Sequence, residues 1–200
     1  MQNLYAPIKI IQMMRAKTAV EIHELFAQRR SPRSLDETAS MSREDVIAIL
    51  EAARWAPSAN NLQPWRFVVG QRGDDEFAKI LSSLVPFNQA WALRASILVA
   101  VGGESSREDG SANPTFMYDC GLAVAQLTLE AHNRGFVAHQ MAGFDAEKAA
   151  ELFEGQKPLV IVAIGKQAPA DQLEGPAYDR ENAVRERKEL SEIVLRGLPI

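Results

Sequence analysis

The chain has 200 residues, 46% of them hydrophobic, with 22 Lys and Arg against 26 Asp and Glu for a formal net charge of −4. That length and apolar content suit one domain with a real core. The acidic balance, with a pI of about 5.5, argues against general nucleic-acid binding or a basic membrane-surface role.

No signal peptide is expected, because Ile10-Ile11 is too short an apolar core and no small-residue cleavage pattern follows; no apolar run reaches membrane-spanning length. Cys120 is the lone cysteine, so one chain can build neither a disulfide nor a thiolate metal cluster, which fits a reducing compartment. A soluble cytoplasmic protein is the expectation. Residues 1–17 mix apolar and basic side chains without a period and read as an arm, packed on the body or on a partner subunit, ahead of a single domain over 18–200. Thr18-Ala19-Val20-Glu21 has the capping-box spacing, which predicts a helix carrying Ile22, Leu25 and Phe26 near one face and ending close to Arg29.

Ser42 followed by Glu44 and Asp45 predicts a second helix, with Val46, Ile49, Leu50 and Ala53 at helical spacing, stopping before Pro57. Trp65–Val69 reads as a strand and 74–84 as a short helix. Ala95–Val101 reads as an apolar strand closed by Gly102-Gly103. Phe116–Asn133 is the longest helical pattern and carries no charge between Asp119 and Glu130. Such a helix is buried all round, in part by a second subunit, with Gly135 as its stop. Phe136–Met141 reads as a strand, Ala142-Gly143 as a turn, Asp145 as the cap of a short helix, and Leu159–Ile164 as a buried strand. Beyond Gln167 the tail is polar, with a charged helical pattern over Asn182–Leu195. Strands and helices interspersed in this way argue for an α/β or α+β domain with one main sheet.

The candidate chemistry lies in three stretches. Pro57-Ser58-Ala59-Asn60-Asn61-Leu62-Gln63-Pro64-Trp65 is a connection held stiff by two prolines and dense in amides, which suits a flat, polar-edged ligand; it also suits a well-capped turn. Arg29-Arg30-Ser31-Pro32-Arg33 and Arg185-Glu186-Arg187-Lys188 offer guanidinium forks for a phosphate, or are solvated arginines favouring a helix end and a charged surface helix. There is no phosphate-binding Gly-rich loop and no serine-triad signature. His23, His132 and His139 lack metal spacing, and Cys120 reads as a core residue. Any catalysis is therefore expected to be borrowed from a cofactor.

Taken in order, these stretches resemble the FMN-dependent nitroreductase family, over about Ile22 to Val194. The stretch from Ala56 to Trp65 is the most specific match; Asp119 and Gly121, Gly143-Phe144-Asp145 and Gly165 also fall in family order. The resemblance implies an α+β, three-layer α/β/α fold with a central, mostly antiparallel sheet, in an intertwined homodimer. Two FMN sites would lie at the interface, each lined by both subunits. Arg29, Ser31, Arg185 and Arg187 would grip the ribityl phosphate, with Arg30 in the same cofactor-binding set. Arg33 would lie near the pyrimidine edge, Pro57, Ser58 and Asn61 along the isoalloxazine, and the backbone of Met141-Ala142-Gly143 near the reactive nitrogen.

The implied activity is that of an NAD(P)H oxidoreductase reducing nitroaromatics or quinones by a ping-pong mechanism, with no catalytic side chain assigned. A flavin-sequestering protein, or another flavin reaction on the same fold (dehydrogenation, dehalogenation, flavin fragmentation), is the alternative. Ala142 stands where some relatives carry glutamate, and Leu35 where phenylalanine is common. Phe87, Trp91 and Phe116 are pocket wall or core, with core preferred.

Overall fold

The computed structural model describes residues 15–197. Its strands are β1 (Trp65–Gln71), β2 (Ile97–Gly103), β3 (Val137–Met141) and β4 (Lys157–Gly165), in the order β1-β2-β4-β3, and every neighbouring pair is antiparallel. The helices are α1 (Glu24–Gln28), α2 (Arg43–Arg54), α3 (Asp75–Ser83), α4 (Pro86–Ala92), α5 (Phe116–Asn133), α6 (Ala146–Ala150), α7 (Gly175–Asn182) and α8 (Leu190–Ile193).

β2 is apolar at successive positions because both faces of its pleat are covered. Ile97, Val99 and Val101 enter one core with Ile49 and Ala53 of α2 and Cys120, Ala123 and Leu127 of α5. Leu98 and Ala100 enter a second core with Phe77 and Ile80 of α3 and Trp91 of α4. The result is the expected three-layer α+β arrangement. Each fully buried Leu or Ile contributes about 1.5–3 kcal/mol. Ion pairs such as Glu51–Arg54 and Glu76–Lys79 are exposed to solvent, which screens them, and add little. The cores, not the charges, hold the layers together.

Short polar side chains set the helix starts. Ser42 Oγ accepts from Asp45 N at 3.1 Å, Asp74 Oδ1 from Phe77 N at 2.7 Å, and Asp145 Oδ1 from Glu147 N at 3.0 Å. Gly135, at φ 74°, closes α5 in the left-handed conformation that a helix stop uses. Leu35 is buried in the second core as a packing residue, as are Trp91 there and Phe116 under β2; Phe87 is half-buried beneath the Arg180 guanidinium.

Most of the N-terminal arm, residues 1–14, lies outside the described residues. Three expectations change. The Thr18 capping box opens no helix: α1 begins at Glu24, where His23 Nδ1 accepts from Leu25 N at 3.2 Å. Residues 15–23 run back along α1 instead, tied by Ala16 N to Ala27 O at 2.8 Å and by Arg15 to Glu24 at 2.6 Å, and Ile22 and Phe26 are exposed. Gly102-Gly103 does not close β2 but lies within it, because an added Cβ would meet Phe153 at Gly102, and Phe116 and Cys120 at Gly103. Within one chain α5 is open along one side, where Met117, Tyr118, Gly121 and Ala125 are exposed, the part expected to be covered by a second subunit. The charged tail helix is also displaced, since Gly175-Pro176 starts α7, Pro being tolerated in a first turn. Residues 183–189 are not helical, and only Leu190–Ile193 resumes a turn.

Gly70 of β1 sits where α3 crosses, and a Cβ there would lie 2.2 Å from Phe77 N. Gly70→Ala must therefore part strand from helix. It is expected to cost about 3 kcal/mol, read as a lower urea midpoint at unchanged slope.

Candidate active site

The basic stretch leaves α1 in extended conformation, with Arg29 at φ −55° and ψ 128°. The last carbonyls of a helix lack partners within it. At α1 they are taken by Arg185, which donates from Nη1 to Arg29 O and from Nη2 to Ala27 O at 3.0 Å. The reverse contact is made at the end of α7, where Arg30 Nη2 donates to Glu181 O at 2.7 Å. The two arginine stretches, far apart in sequence, thus brace each other's helix ends. Competition from these tertiary contacts explains why 183–189 does not take the helical form that its composition favours.

Arg29 Nη1 lies 3.3 Å from Ser31 Oγ. Arg29 and Ser31 line a cavity of about 380 Å³ with Phe26, Ala125, Thr128, Leu129 and Gln140. A second, more apolar cavity of about 270 Å³ adjoins it through Gln140 and runs along the exposed side of α5 past Met117, Gly121 and Leu159. Gln140 Nε2 donates to Thr128 Oγ1 at 2.5 Å. The period of β3 puts Gln140 on the same face as Ala138, toward α5; a polar residue on that face was the signal that could have marked it.

The field around this cavity is positive. Burial and then Arg187 push the Arg29 guanidinium below its usual pKa. Burial and then Arg29, Arg187 and Arg30 do the same to Arg185. Arg33 is lowered by burial and by Arg180, with Glu181 opposing. His132 is lowered by burial and by Arg29, and His139, 8% exposed, falls to about 4 through burial and Arg33. Cys120 is pushed up to about 11, chiefly by burial. Neither the His139 imidazole nor the Cys120 thiol is poised for proton transfer near neutrality. Among the described residues no group of His, Cys, Asp and Glu is arranged to hold a metal ion, and no helix is long and apolar enough to cross a membrane.

β3 brings the 141–143 turn to the same region, since His139 Nδ1 lies 3.0 Å from Pro32 O. Met141 is buried and Ala142 exposed. Gly143 O accepts from Val85 N and Asn88 Nδ2, and a Cβ at Gly143 would lie 2.8 Å from Asn88 Nδ2.

The 57–63 loop is elsewhere. Asn60, Asn61 and Gln63 adopt φ of 51°, 56° and 47°; asparagine tolerates that region, glutamine less so. Asp119 Oδ2 holds the loop, accepting from Ala59 N at 3.3 Å and Thr115 Oγ1 at 3.1 Å. Ser58 Oγ accepts from Gln63 N at 3.0 Å, so Ser58 shapes the loop. Trp65 is buried in the first core rather than beside a ligand, while Pro57 and Asn61 are exposed. Asp119 and Thr128 are nine residues apart on α5, about 14 Å by the helical rise. Within one chain the loop and the arginine cavity therefore lie at different ends of that helix. The sequence reasoning missed Asp119 as the loop's anchor and Glu181 as a buried carboxylate beneath the arginines.

The Nitroreductase family profile matches residues 26–166. The chain belongs to the nitroreductase family. Within it, a crystal structure described as an oxidoreductase containing FMN superposes with a TM-score of 0.83 at 32% identity, covering 88% of this chain and 92% of that one. The CLA biosynthesis enone reductase of Lactiplantibacillus plantarum is 26% identical over 199 residues, 80% of this chain and 91% of its own. The major NAD(P)H-flavin oxidoreductase of Aliivibrio fischeri is 28% identical over 156 residues, 72% of this chain and 66% of its own.

His139 makes stability depend on pH. Its folded pKa of about 4 lies below the ordinary 6.5, so the unfolded chain binds the extra proton between those values and stability rises with pH across that window. The contribution is full above pH 6.5 and lost as pH falls toward 4. His139→Asn is expected to remove up to about 3 kcal/mol of this slope, measured by urea unfolding at both ends of the window.

Proposed function

We propose that this protein is an FMN-dependent NAD(P)H oxidoreductase that works as a homodimer. The observation that carries the reading is the cavity lined by Arg29 and Ser31, with Arg187 and the Arg185 brace beside it, in a protein of net charge −4. A positive field, guanidinium forks and a serine hydroxyl are the donor set that a phosphate dianion requires. The flavin oxidoreductase and enone reductase relatives support a reducing activity.

On this reading Arg29, Ser31 and Arg187 hold the phosphate. Arg185 and Arg30 keep the backbone that presents them in place. Arg33 supplies fixed positive charge toward the pyrimidine edge, and the Met141-Ala142-Gly143 backbone faces the ring. Bound there, FMN would supply the redox chemistry, accepting a hydride from NAD(P)H and giving it to an electron-poor acceptor such as a nitroaromatic or a quinone. Ala142 offers no carboxylate, so the chain's part is binding, orientation and charge rather than proton transfer through a side chain at that position. The homodimer reading rests on the exposed side of α5 and on the distance between the 57–63 loop and the arginines: a second copy would bring Pro57, Ser58 and Asn61 to the cavity.

The purified protein is expected to be yellow with extractable FMN, to bleach with NADH or NADPH, and to recover its colour with a quinone under ping-pong kinetics. A colourless protein that takes up no FMN would sink the proposal. Flavin that binds but is not turned over would favour a sequestering role. Arg29→Ala and Arg187→Ala are each expected to weaken FMN binding about tenfold or more. Arg66→Ala should weaken it less, because Arg66 pairs with Glu104 at 2.5 Å and supports the 57–63 loop rather than the phosphate site; equal losses in a titration of all three would contradict the assignment.

A further inference from the structure

Pro32 and Arg33 share one peptide unit, and buried ionisable side chains hold both of its polar ends. The Pro32 carbonyl lies 3.0 Å from His139 Nδ1. A carbonyl only accepts, so Nδ1 carries the proton. The Arg33 N–H donates to Glu181 Oε2 at 2.6 Å. His139 is 8% and Glu181 2% exposed. The two grips come from different elements. His139 stands in β3 just before Met141-Ala142-Gly143, and Glu181 stands in α7 just before the Arg185–Arg187 segment. The Glu181 backbone carbonyl is itself held by Arg30. One peptide thus ties together the three segments that carry the proposed phosphate and ring contacts.

A plain packing role does not explain this choice of residue. Burying a carboxylate with one oxygen unsatisfied is costly, and an apolar side chain would fill the same space at less cost. Glu181 Oε1 is buried without a partner among the described residues, and so is Arg33 Nε. What the carboxylate gives in return is a strong acceptor for the Arg33 amide and a negative charge beside Arg33, offsetting Arg180.

We infer that Glu181 and His139 are positioning residues that clamp the Pro32–Arg33 peptide, fixing the backbone from which Arg29, Ser31 and Arg33 meet the cofactor. This rests on the FMN reading above, so its test has one arm that needs no flavin. By amide hydrogen exchange, a peptide covering residues 29–36 should lose protection in Glu181→Ala and keep it in Glu181→Gln, whose amide oxygen still accepts from the Arg33 N–H. In FMN titrations of the flavin-free protein, Glu181→Ala should bind about tenfold or more weakly, the loss of one charge-assisted hydrogen bond. Glu181→Gln should stay within about threefold, the loss of a charge with the hydrogen bond kept. His139→Ala should also weaken binding, and the double variant should lose less than the product of the two single losses, because a peptide released at one end is already free.

Equal FMN affinity in Glu181→Ala and Glu181→Gln, multiplicative losses in the double variant, or unchanged exchange over 29–36 would each overturn the clamp. If Glu181→Ala does not fold, the exchange comparison is made between the wild type, Glu181→Gln and His139→Ala. Protection kept in Glu181→Gln and lost in His139→Ala supports the clamp; protection kept in both overturns it. A wild-type protein that binds no FMN would defeat the flavin reading, while the exchange arm still decides the clamp.

Discussion

Gathering guanidinium groups into one place works against folding, and the site depends on how that repulsion is answered. Arg29, Arg30, Arg33, Arg185 and Arg187 converge where α1 ends, and the depressed pKa values register burial together with repulsion, from neighbouring members of this set at Arg29 and Arg185 and from Arg180 at Arg33. The compensation comes largely from backbone carbonyls. The ends of α1 and α7 each present carbonyls that their own helix cannot satisfy, and Arg185 and Arg30 take them. A charged donor on a neutral acceptor satisfies both groups without cancelling the positive field. Only one buried carboxylate, that of Glu181, is found against the 29–33 segment among the described residues. More acids there would neutralise the field that the proposed phosphate site needs.

The same balance reaches the histidines beside the arginines. His139 is held neutral by burial and by the Arg33 charge, and burial and Arg29 lower the pKa of His132. His139 packs against the Trp91 ring, with centroids 4.7 Å apart, so the second core supports the imidazole that supports Pro32. Packing beneath the sheet is thereby coupled to the geometry of the basic stretch. A volume change near Trp91 would be transmitted to it, since close-packed interiors relax only partially.

Elements whose instructions are local were readable from the sequence. The helices begun by Ser42, Asp74 and Asp145, the stop at Gly135 and the apolar strands follow from caps and periods that need only a few neighbouring residues. What was not readable depended on partners distant in sequence. Thr18 had the right spacing for a cap, yet residues 15–23 found their bonds along α1. Gly102 and Gly103 read as the close of a strand because nothing local reveals that Phe153, Phe116 and Cys120 press on β2. Residues 183–189 looked helical until Arg185 found the carbonyls of Ala27 and Arg29. At the site, arginine content was legible, but which arginines brace helix ends was not, because that is set by which carbonyls lie within reach. Glu181 was invisible for the same reason: its role exists only where α7 meets the 29–33 backbone.

On the homodimer reading proposed above, the 57–63 loop serves the partner's cavity rather than its own. Left-handed backbone at Asn60, Asn61 and Gln63 costs of order 1–3 kcal/mol per residue in unfavourable cases, and the loop keeps it because Asp119, Ser58 and Arg66 over-determine its path. That rigidity does not serve the chain's own cavity, which lies farther along α5. It presents Pro57 and Asn61 outward in a fixed geometry. α5 meanwhile leaves Met117, Tyr118, Gly121 and Ala125 uncovered beside the apolar cavity. An exposed apolar strip on the helix that carries both the loop's anchor and the cavity wall is the surface against which a second copy would place a loop and a cavity in register. On the homodimer reading, the strain in the loop and the open side of the helix have one cause: each chain holds part of two sites.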